Sequence, residues 1–131
     1  MGGPTLHQLM PNAPYHASFA DLPRESIAAG ILERTAVRTD GAVVTFNWIQ
    51  PGHPEVPPHD HPYDQLSFIF AGTLEIELDG TPHAIRAGEF LYIPAGTPHT
   101  GRVVGDQTVL NIDVFAPVRE DYLYLARHQP S

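Results

Sequence analysis

Residues 52–65 read GHPEVPPHDHPYDQ and residues 88–99 read GEFLYIPAGTPH, and these two stretches decide the fold. His59 and His61 are two positions apart, so in an extended strand both imidazoles lie on the same face and can meet one ion. Gln65 has the same parity, beyond a bend at Pro62, and His99 follows a stiff proline- and glycine-containing turn. A single pair of alternating histidines is weak evidence for a metal site, and the spacing around all four residues strengthens it.

Outward from these stretches the sequence consists of short runs of strand-like residues between turn residues. An Asp79-Gly80 pair between two such runs is typical of a tight hairpin. Strands at this spacing, without helical periodicity between them, predict an all-β sandwich or barrel. Helical turns are expected only at Asp21–Ala29, capped by Asp21, and in the tail at Arg119–His128. The predicted strands are Ile31–Arg38, Val43–Ile49, Gln65–Phe70, Thr73–Leu78, His83–Arg86, Phe90–Ile93 and Val109–Phe115.

The composition of the 131 residues excludes several classes of function. Cysteine is absent, which removes disulfides, thiolate metal sites and cysteine nucleophiles. Lysine is absent too, so neither a Schiff base nor a phosphate-binding loop of the Walker type can form. The formal charge of −8 argues against nucleic-acid binding. No apolar run is long enough for a membrane span and no secretory leader is visible, so we expect a cytoplasmic protein.

The two opening stretches resemble the motifs of the cupin superfamily. The first motif reads Gly52, six residues, His59-Asp60-His61, three residues, Gln65, six residues, Gly72. The second reads Gly88, five residues, Pro94-Ala95-Gly96, two residues, His99, and fifteen residues separate the motifs. The resemblance implies a small jelly-roll-like β-barrel of two facing antiparallel sheets with a metal inside one end. We expect residues 31–118 to form the barrel, residues 1–30 an extension packed on it, and residues 119–131 a tail.

The resemblance implies one divalent metal ion per chain, bound by His59, His61, Gln65 and His99. Gln65 stands where these proteins usually have glutamate, and Val103 stands where an asparagine is expected. Neutral ligands leave the charge of the ion uncompensated and make it a stronger Lewis acid. Nitrogen and oxygen donors fit Fe, Mn, Ni, Co or Zn. The alternative is a vestigial site in which Gln65 is only hydrogen-bonded inside the barrel.

A candidate acid or base lies in the last predicted strand, where Asp113 shares one face with Asn111 and Phe115. If that face is interior, Asp113 can move a proton beside the metal; otherwise it is an ordinary exposed carboxylate. Arg119 can bind a substrate carboxylate or form a surface ion pair with Glu120 or Asp121. Tyr63 can donate from its phenol or simply cover the barrel mouth.

The chain from Asp113 to Leu123 resembles the ending of one group of small cupins. That group includes enzymes that convert unsaturated uronates from pectin and alginate breakdown into linear keto forms. The resemblance implies that Asp113, Phe115 and Arg119 line the site. Small polyketide cyclases with a similar histidine and glutamine metal site are related in layout.

Three apolar residues, Leu66, Phe68 and Phe70, alternate with the inward positions of the strand that begins at Gln65. If Gln65 points inward these three point outward, which is costly unless another surface covers them. We therefore expect a homodimer.

The leading functional hypothesis is an enzyme that acts on a small-molecule substrate. A divalent metal polarises a carbonyl or enol oxygen while Asp113 moves a proton, in tautomerisation, ring opening, cyclisation or lyase chemistry. One alternative is an Fe(II)-dependent dioxygenase. The other is a non-catalytic cupin that binds a sugar or another small molecule.

Overall fold

The computed structural model describes residues 13–130 of the chain. Strands dominate, and the two helical segments are short 3-10 turns at Phe19–Asp21 and Glu120–Ala126. No helix in this part of the chain is long and apolar enough to cross a membrane. The strands are β1 Glu25–Ala28, β2 Leu32–Arg38, β3 Val43–Ile49, β4 Asp64–Ala71, β5 Thr73–Leu78, β6 Thr81–Arg86, β7 Phe90–Ile93, β8 His99–Val104 and β9 Val109–Ala116.

Two antiparallel sheets form the barrel, as the sequence predicts. One has six strands in the order β1-β2-β3-β9-β4-β7, and the other has three in the order β6-β5-β8. Strand β9 lies in the middle of the larger sheet, between β3 and β4, so residues from distant parts of the chain become cross-strand neighbours. This placement brings Asp113 opposite Ser67 on one side and opposite Thr45 on the other.

Alternation along the strands gives the six-stranded sheet a polar row on its inner face. Asn47 pairs with Asn111, and Gln65 pairs with Phe115. These side chains are buried, as are Ser67 and Asp113. Apolar side chains from both sheets form the main core, and these are Ile69, Ile93 and Val109 from the six-stranded sheet and Leu74, Ile76 and Ile85 from the three-stranded sheet.

The hairpin predicted at Asp79-Gly80 is confirmed, with Leu78 opposite Thr81 and both turn residues at positive φ, +48° and +85°. That combination is the twist-matched two-residue turn that Asp-Gly favours. Gly72 has a φ of +76°, which favours glycine, and its position also leaves no room for a side chain. A Cβ there would lie 2.9 Å from Val109 Cγ2 and 3.1 Å from the Thr108 carbonyl, so no other residue lets β4 and β9 approach this closely.

One element differs from the prediction and one was not predicted. Asp21–Ala29 is not a helical turn: the 3-10 turn ends at Asp21, and Glu25–Ala28 pairs with β2 as an edge strand. Its exposed side chains carry no periodic pattern, so hydrogen bonding to β2 decides its structure. Strand β8 was not predicted, because Gly101 and Arg102 interrupt its apolar alternation. The 3-10 turn at Glu120–Ala126 confirms a helical tail.

Candidate active site

A cavity of about 370 Å³ lies between the two sheets. One part of its wall is apolar and includes Ile31, Leu32 and Val56. The cavity is also lined by chemically reactive or charged side chains, and these include Arg34, His59, Gln65, His99, Asp113 and Arg119. A volume of this size suits a small organic molecule.

Backbone hydrogen bonds hold the segments that carry the three histidines. His59 and His99 exchange both main-chain bonds, at 3.0 and 2.9 Å, and the amide of Gly96 donates to the carbonyl of His61 at 2.9 Å. His99 is the first residue of β8 and Gln65 the second residue of β4. The site therefore joins one loop to both sheets.

The three imidazoles face one another. Ring centroids are 4.5 Å apart for His59 and His99, 4.9 Å for His61 and His99, and 6.2 Å for His59 and His61. His61 Nδ1 lies 3.0 Å from the carbonyl of Tyr63, and His99 Nδ1 lies 2.8 Å from that of Thr97. Donation from Nδ1 to a carbonyl leaves the lone pair of a neutral ring on Nε2, the arrangement found behind most metal-bound histidines.

Burial lowers the pKa of His99 and is also the first cause that lowers the pKa of His59. Mutual repulsion adds to the effect, because a proton on His59 would meet His99, His61 and Arg119. Both shifts favour neutral rings, the form that binds metals.

The fit of a metal ion is tested by the contact between His61 and Gln65. Among the described residues, no group of three or more His, Cys, Asp or Glu side chains has its donor atoms gathered around one point as they stand. Instead, His61 Nε2 lies 3.0 Å from Gln65 Oε1. With Nδ1 carrying the ring proton, a Gln65 amide turned by 180° donates its N–H to Nε2, so the pair fits an ordinary hydrogen bond. Adjacent ligands of one octahedral ion, each about 2.1 Å from it, are themselves about 3 Å apart, so the pair also has the separation of two ligands of one metal.

Asp113 lies on the inner face and lines the cavity, which excludes the alternative of an exposed carboxylate. Its Oδ1 accepts from the Ser67 hydroxyl at 2.5 Å and from Asn111 Nδ2 at 3.0 Å. Asn47 Nδ2 donates to Asn111 Oδ1 at 3.1 Å. Within residues 13–130 no side chain bonds Oδ2, so this oxygen is available to a molecule in the cavity.

Arg119 both forms an ion pair with Asp121 and lines the cavity, so the two alternatives given by the sequence are compatible. Its Nε donates to Asp121 Oδ1 at 3.1 Å, while the side chain is only 15% exposed and lines the cavity. The guanidinium carbon lies 3.8 Å from the centre of the Tyr122 ring. Tyr63 is placed differently: it is not a lining residue, and its ring centre lies 5.6 Å from that of His61 and 5.8 Å from the Arg119 guanidinium carbon.

The polar side chains of the cavity wall that sequence reasoning missed include Arg34, Asn47 and Ser67. All three share the inward parity of their strands, and Ser67 follows Gln65 by two positions. A polar residue at inward parity is the signal that finds Ser67 and Asn47. For Arg34, strand parity alone does not predict whether the side chain faces the cavity, because its neighbours depend on the register between β2 and β3.

Comparisons with known proteins show the family to which the chain belongs. A family model described as a cupin domain matches residues 48–115. The Streptomyces halstedii protein SchB is 34% identical over 108 residues, covering 76% of this chain and 78% of SchB. The pectin degradation protein KdgF of Dickeya dadantii is 30% identical over 67 residues, half of this chain and 60% of that protein.

A solved structure of KdgF from a Halomonas species superposes with a TM-score of 0.73 at 22% identity, covering 83% of this chain and 98% of that one. This similarity shows the fold. Together with the family model, which spans both histidine-bearing segments, and the relative matched over most of its length, it establishes that this chain belongs to the cupin family.

Proposed function

We propose that this protein is a metal-dependent cupin enzyme that catalyses proton transfer on a small, oxygen-rich, anionic substrate. A tautomerisation from an enol to a ketone is the simplest such reaction, because it moves one proton from oxygen to carbon and needs no oxidant. An unsaturated uronate is a substrate of this kind.

His59, His61, Gln65 and His99 would hold the divalent ion. When bound, it supplies Lewis acidity, which polarises a carbonyl or enol oxygen and stabilises negative charge on it. The four ligands are all neutral, so none of them offsets the charge of the ion and none serves as a built-in base. The proton must therefore be handled by another residue.

Asp113 is the residue that moves the proton, and its geometry is the observation that carries the proposal. Ser67 and Asn111 hold Oδ1 by two hydrogen bonds, which orients the carboxylate and leaves Oδ2 toward the cavity that His59 and His99 also line. A carboxylate fixed beside a polarised oxygen is the arrangement that general acid–base catalysis requires.

Arg119 binds the anionic end of the substrate. Asp121 occupies its Nε, and the Tyr122 ring packs against the guanidinium, so the side chain is held in place with its terminal nitrogens unused by this ion pair. A planar guanidinium binds a carboxylate through two parallel hydrogen bonds.

The relatives support a uronate as the substrate. One of them is named for pectin degradation, and the spacing of Asp113, Phe115 and Arg119 matches the ending that the sequence shares with uronate-ketonising cupins. The three-histidine set also leaves an Fe(II) dioxygenase as a second candidate, since iron with open positions activates oxygen.

The test is turnover of the metal-loaded chain with unsaturated galacturonate as substrate. The loss of the conjugated double bond is followed in the ultraviolet, with dissolved oxygen recorded in the same cell. We expect conversion under nitrogen at the same rate as in air, with no oxygen consumed. Absence of conversion, with oxygen uptake on addition of Fe(II), would contradict the proposal and favour the dioxygenase.

A further inference from the structure

Arg34 is a half-buried arginine in the wall of the cavity. Three ion pairs occur among the described residues, and they use Arg24 with Glu33, Arg102 with Glu75 and Arg119 with Asp121. Arg34 has no carboxylate partner in this part of the chain, although it is half-buried and faces the cavity. A cation removed from water without a partner is costly, so such a position needs a counter-charge.

The side chain of Arg34 is held by two contacts. Its Nε donates to Asn47 Oδ1 at 2.5 Å, and its guanidinium carbon lies 4.7 Å from the centre of the Tyr122 ring. Asn47 is itself fixed, because its amide nitrogen donates to Thr45 Oγ1 and to Asn111 Oδ1, both at 3.1 Å. The plane of the guanidinium is thereby set before any ligand arrives.

The terminal nitrogens of Arg34 remain available. No hydrogen bond from Nη1 or Nη2 occurs within residues 13–130, although Nε is bonded. Fixed orientation together with unused donors is what preorganised binding of a carboxylate requires.

Arg34 and Arg119 also share the Tyr122 ring, at 4.7 and 3.8 Å from its centre. Only Arg119 is neutralised, by Asp121. Two cations near one ring repel each other. Asp121 offsets the charge of Arg119, and an anion bound at Arg34 would offset the second positive charge.

We infer that Arg34 is a second anion-binding residue of this cavity, and that the cavity prefers a sugar acid with two carboxylates, one held by Arg119 and the other by Arg34. This inference rests on the proposed function for the sugar-acid class. Unsaturated galacturonate carries only the carboxylate that Arg119 binds, and a dicarboxylate adds the charge that Arg34 binds. Arg34 acts on binding and specificity, whereas Asp113 moves the proton.

The experiment measures binding rather than turnover, with two linear six-carbon acids as probes. Galactarate has a carboxylate at each end, and galactonate replaces one of them with an alcohol. Calorimetric titrations at low salt use the full chain as purified and again after removal of metal, because both acids can chelate. We expect galactarate to bind at least about 10-fold more tightly than galactonate in both states.

The variants are Arg34→Gln, Arg34→Lys and, as a matched control, Arg86→Gln on the outer strand β6. Arg34→Gln should lose the preference for galactarate while its galactonate affinity and melting temperature stay close to those of the parent. Arg34→Lys, which keeps charge but loses the planar fork, should retain part of the preference. Arg86→Gln should retain all of it.

An equal affinity for the two acids in the parent, or an undiminished preference in Arg34→Gln, would overturn the inference. Neither result depends on catalysis. A failure of the proposed function would show instead as absent turnover of unsaturated galacturonate by metal-loaded protein that still prefers galactarate.

Discussion

The two faces of the six-stranded sheet reverse the usual distribution of polarity. Toward the interior, β3, β4 and β9 present Asn47, Ser67, Asn111 and Asp113, all buried. Toward the outside, β4 and β7 present large apolar side chains, with Phe70 58% and Phe90 63% exposed. The polar interior is stable because each group there has a hydrogen-bond partner, whereas the apolar exterior has no such compensation.

The outer face is itself divided. Over β3 the chain covers it: Phe19 stacks on Phe46 at 4.8 Å between ring centroids, and the Arg24 guanidinium lies 3.5 Å from the centre of the Trp48 ring. Over β4 and β7 no such aromatic or guanidinium cover occurs among the described residues, and the rings of Phe68 and Phe90 lie 6.0 Å apart between centroids. Strand β4 therefore contributes to both surfaces: its inward residues Gln65 and Ser67 line the cavity, and its outward residues form the apolar patch on which we propose that a second copy of the chain packs.

Removal of two inner-face ligands is the change with the largest expected effect. The double variant His59→Ala, His61→Ala should bind no stoichiometric metal, because two nitrogen donors disappear together. Elemental analysis after dialysis against each candidate ion measures this. The control His16→Ala, His83→Ala removes two histidines away from the cavity and should retain one ion per chain. Metal retained in the first variant would place the site elsewhere.

Asp113→Asn should reduce turnover by about 100-fold or more with metal content unchanged. The amide oxygen can still accept the hydrogen bonds from Ser67 and Asn111, so the local structure is preserved while the base is lost. Steady-state kinetics with unsaturated galacturonate measures the effect, and Asp106→Asn, in an exposed turn, is the matched control. Equal turnover in Asp113→Asn would assign the proton to Tyr63 or to a metal-bound water.

On the outer face, Phe68→Glu should weaken a homodimer by about 30-fold, since a buried aromatic anchor is worth about 2 kcal/mol and the new charge must be desolvated. Sedimentation over a concentration series measures the dissociation constant, and Thr81→Glu, on the other sheet, is the control. A parent protein that sediments only as a 14.4 kDa species at micromolar concentration would contradict the dimer.

The smallest effect is expected for Gln65→Glu, which adds one negative ligand without removing any. Metal affinity should stay the same or rise a few-fold, while turnover falls because the carboxylate offsets the charge of the ion. Competition with a coloured chelator measures the affinity. Gln107→Glu, in an exposed turn, should change neither property. Metal affinity that falls in Gln65→Glu would contradict this expectation.

Local sequence patterns predicted most of the barrel. A half-buried strand shows alternating apolar and polar residues, and its turns carry Asp-Gly or Pro-Gly, so both signals lie within a few residues. Gln65, His99 and Asp113 lie in separate parts of the chain, and it was the resemblance to cupins that placed them in one site; strand parity added only that Asp113 shares a face with Asn111 and Phe115. The position of Arg34 was not predictable in this way. Its contact with Asn47 depends on how β2 registers against β3, and its contact with Tyr122 depends on where the tail packs.

The position of His99 on β8 and of Gln65 on β4 has a thermodynamic consequence. The two sheets meet mainly through apolar side chains, and the candidate ligands come from both of them as well as from the loop that carries His59 and His61. An ion held by all four would act as a cross-link between the layers. Its binding free energy would then add to the free energy of unfolding, so the stability of the barrel would rise with the concentration of available metal.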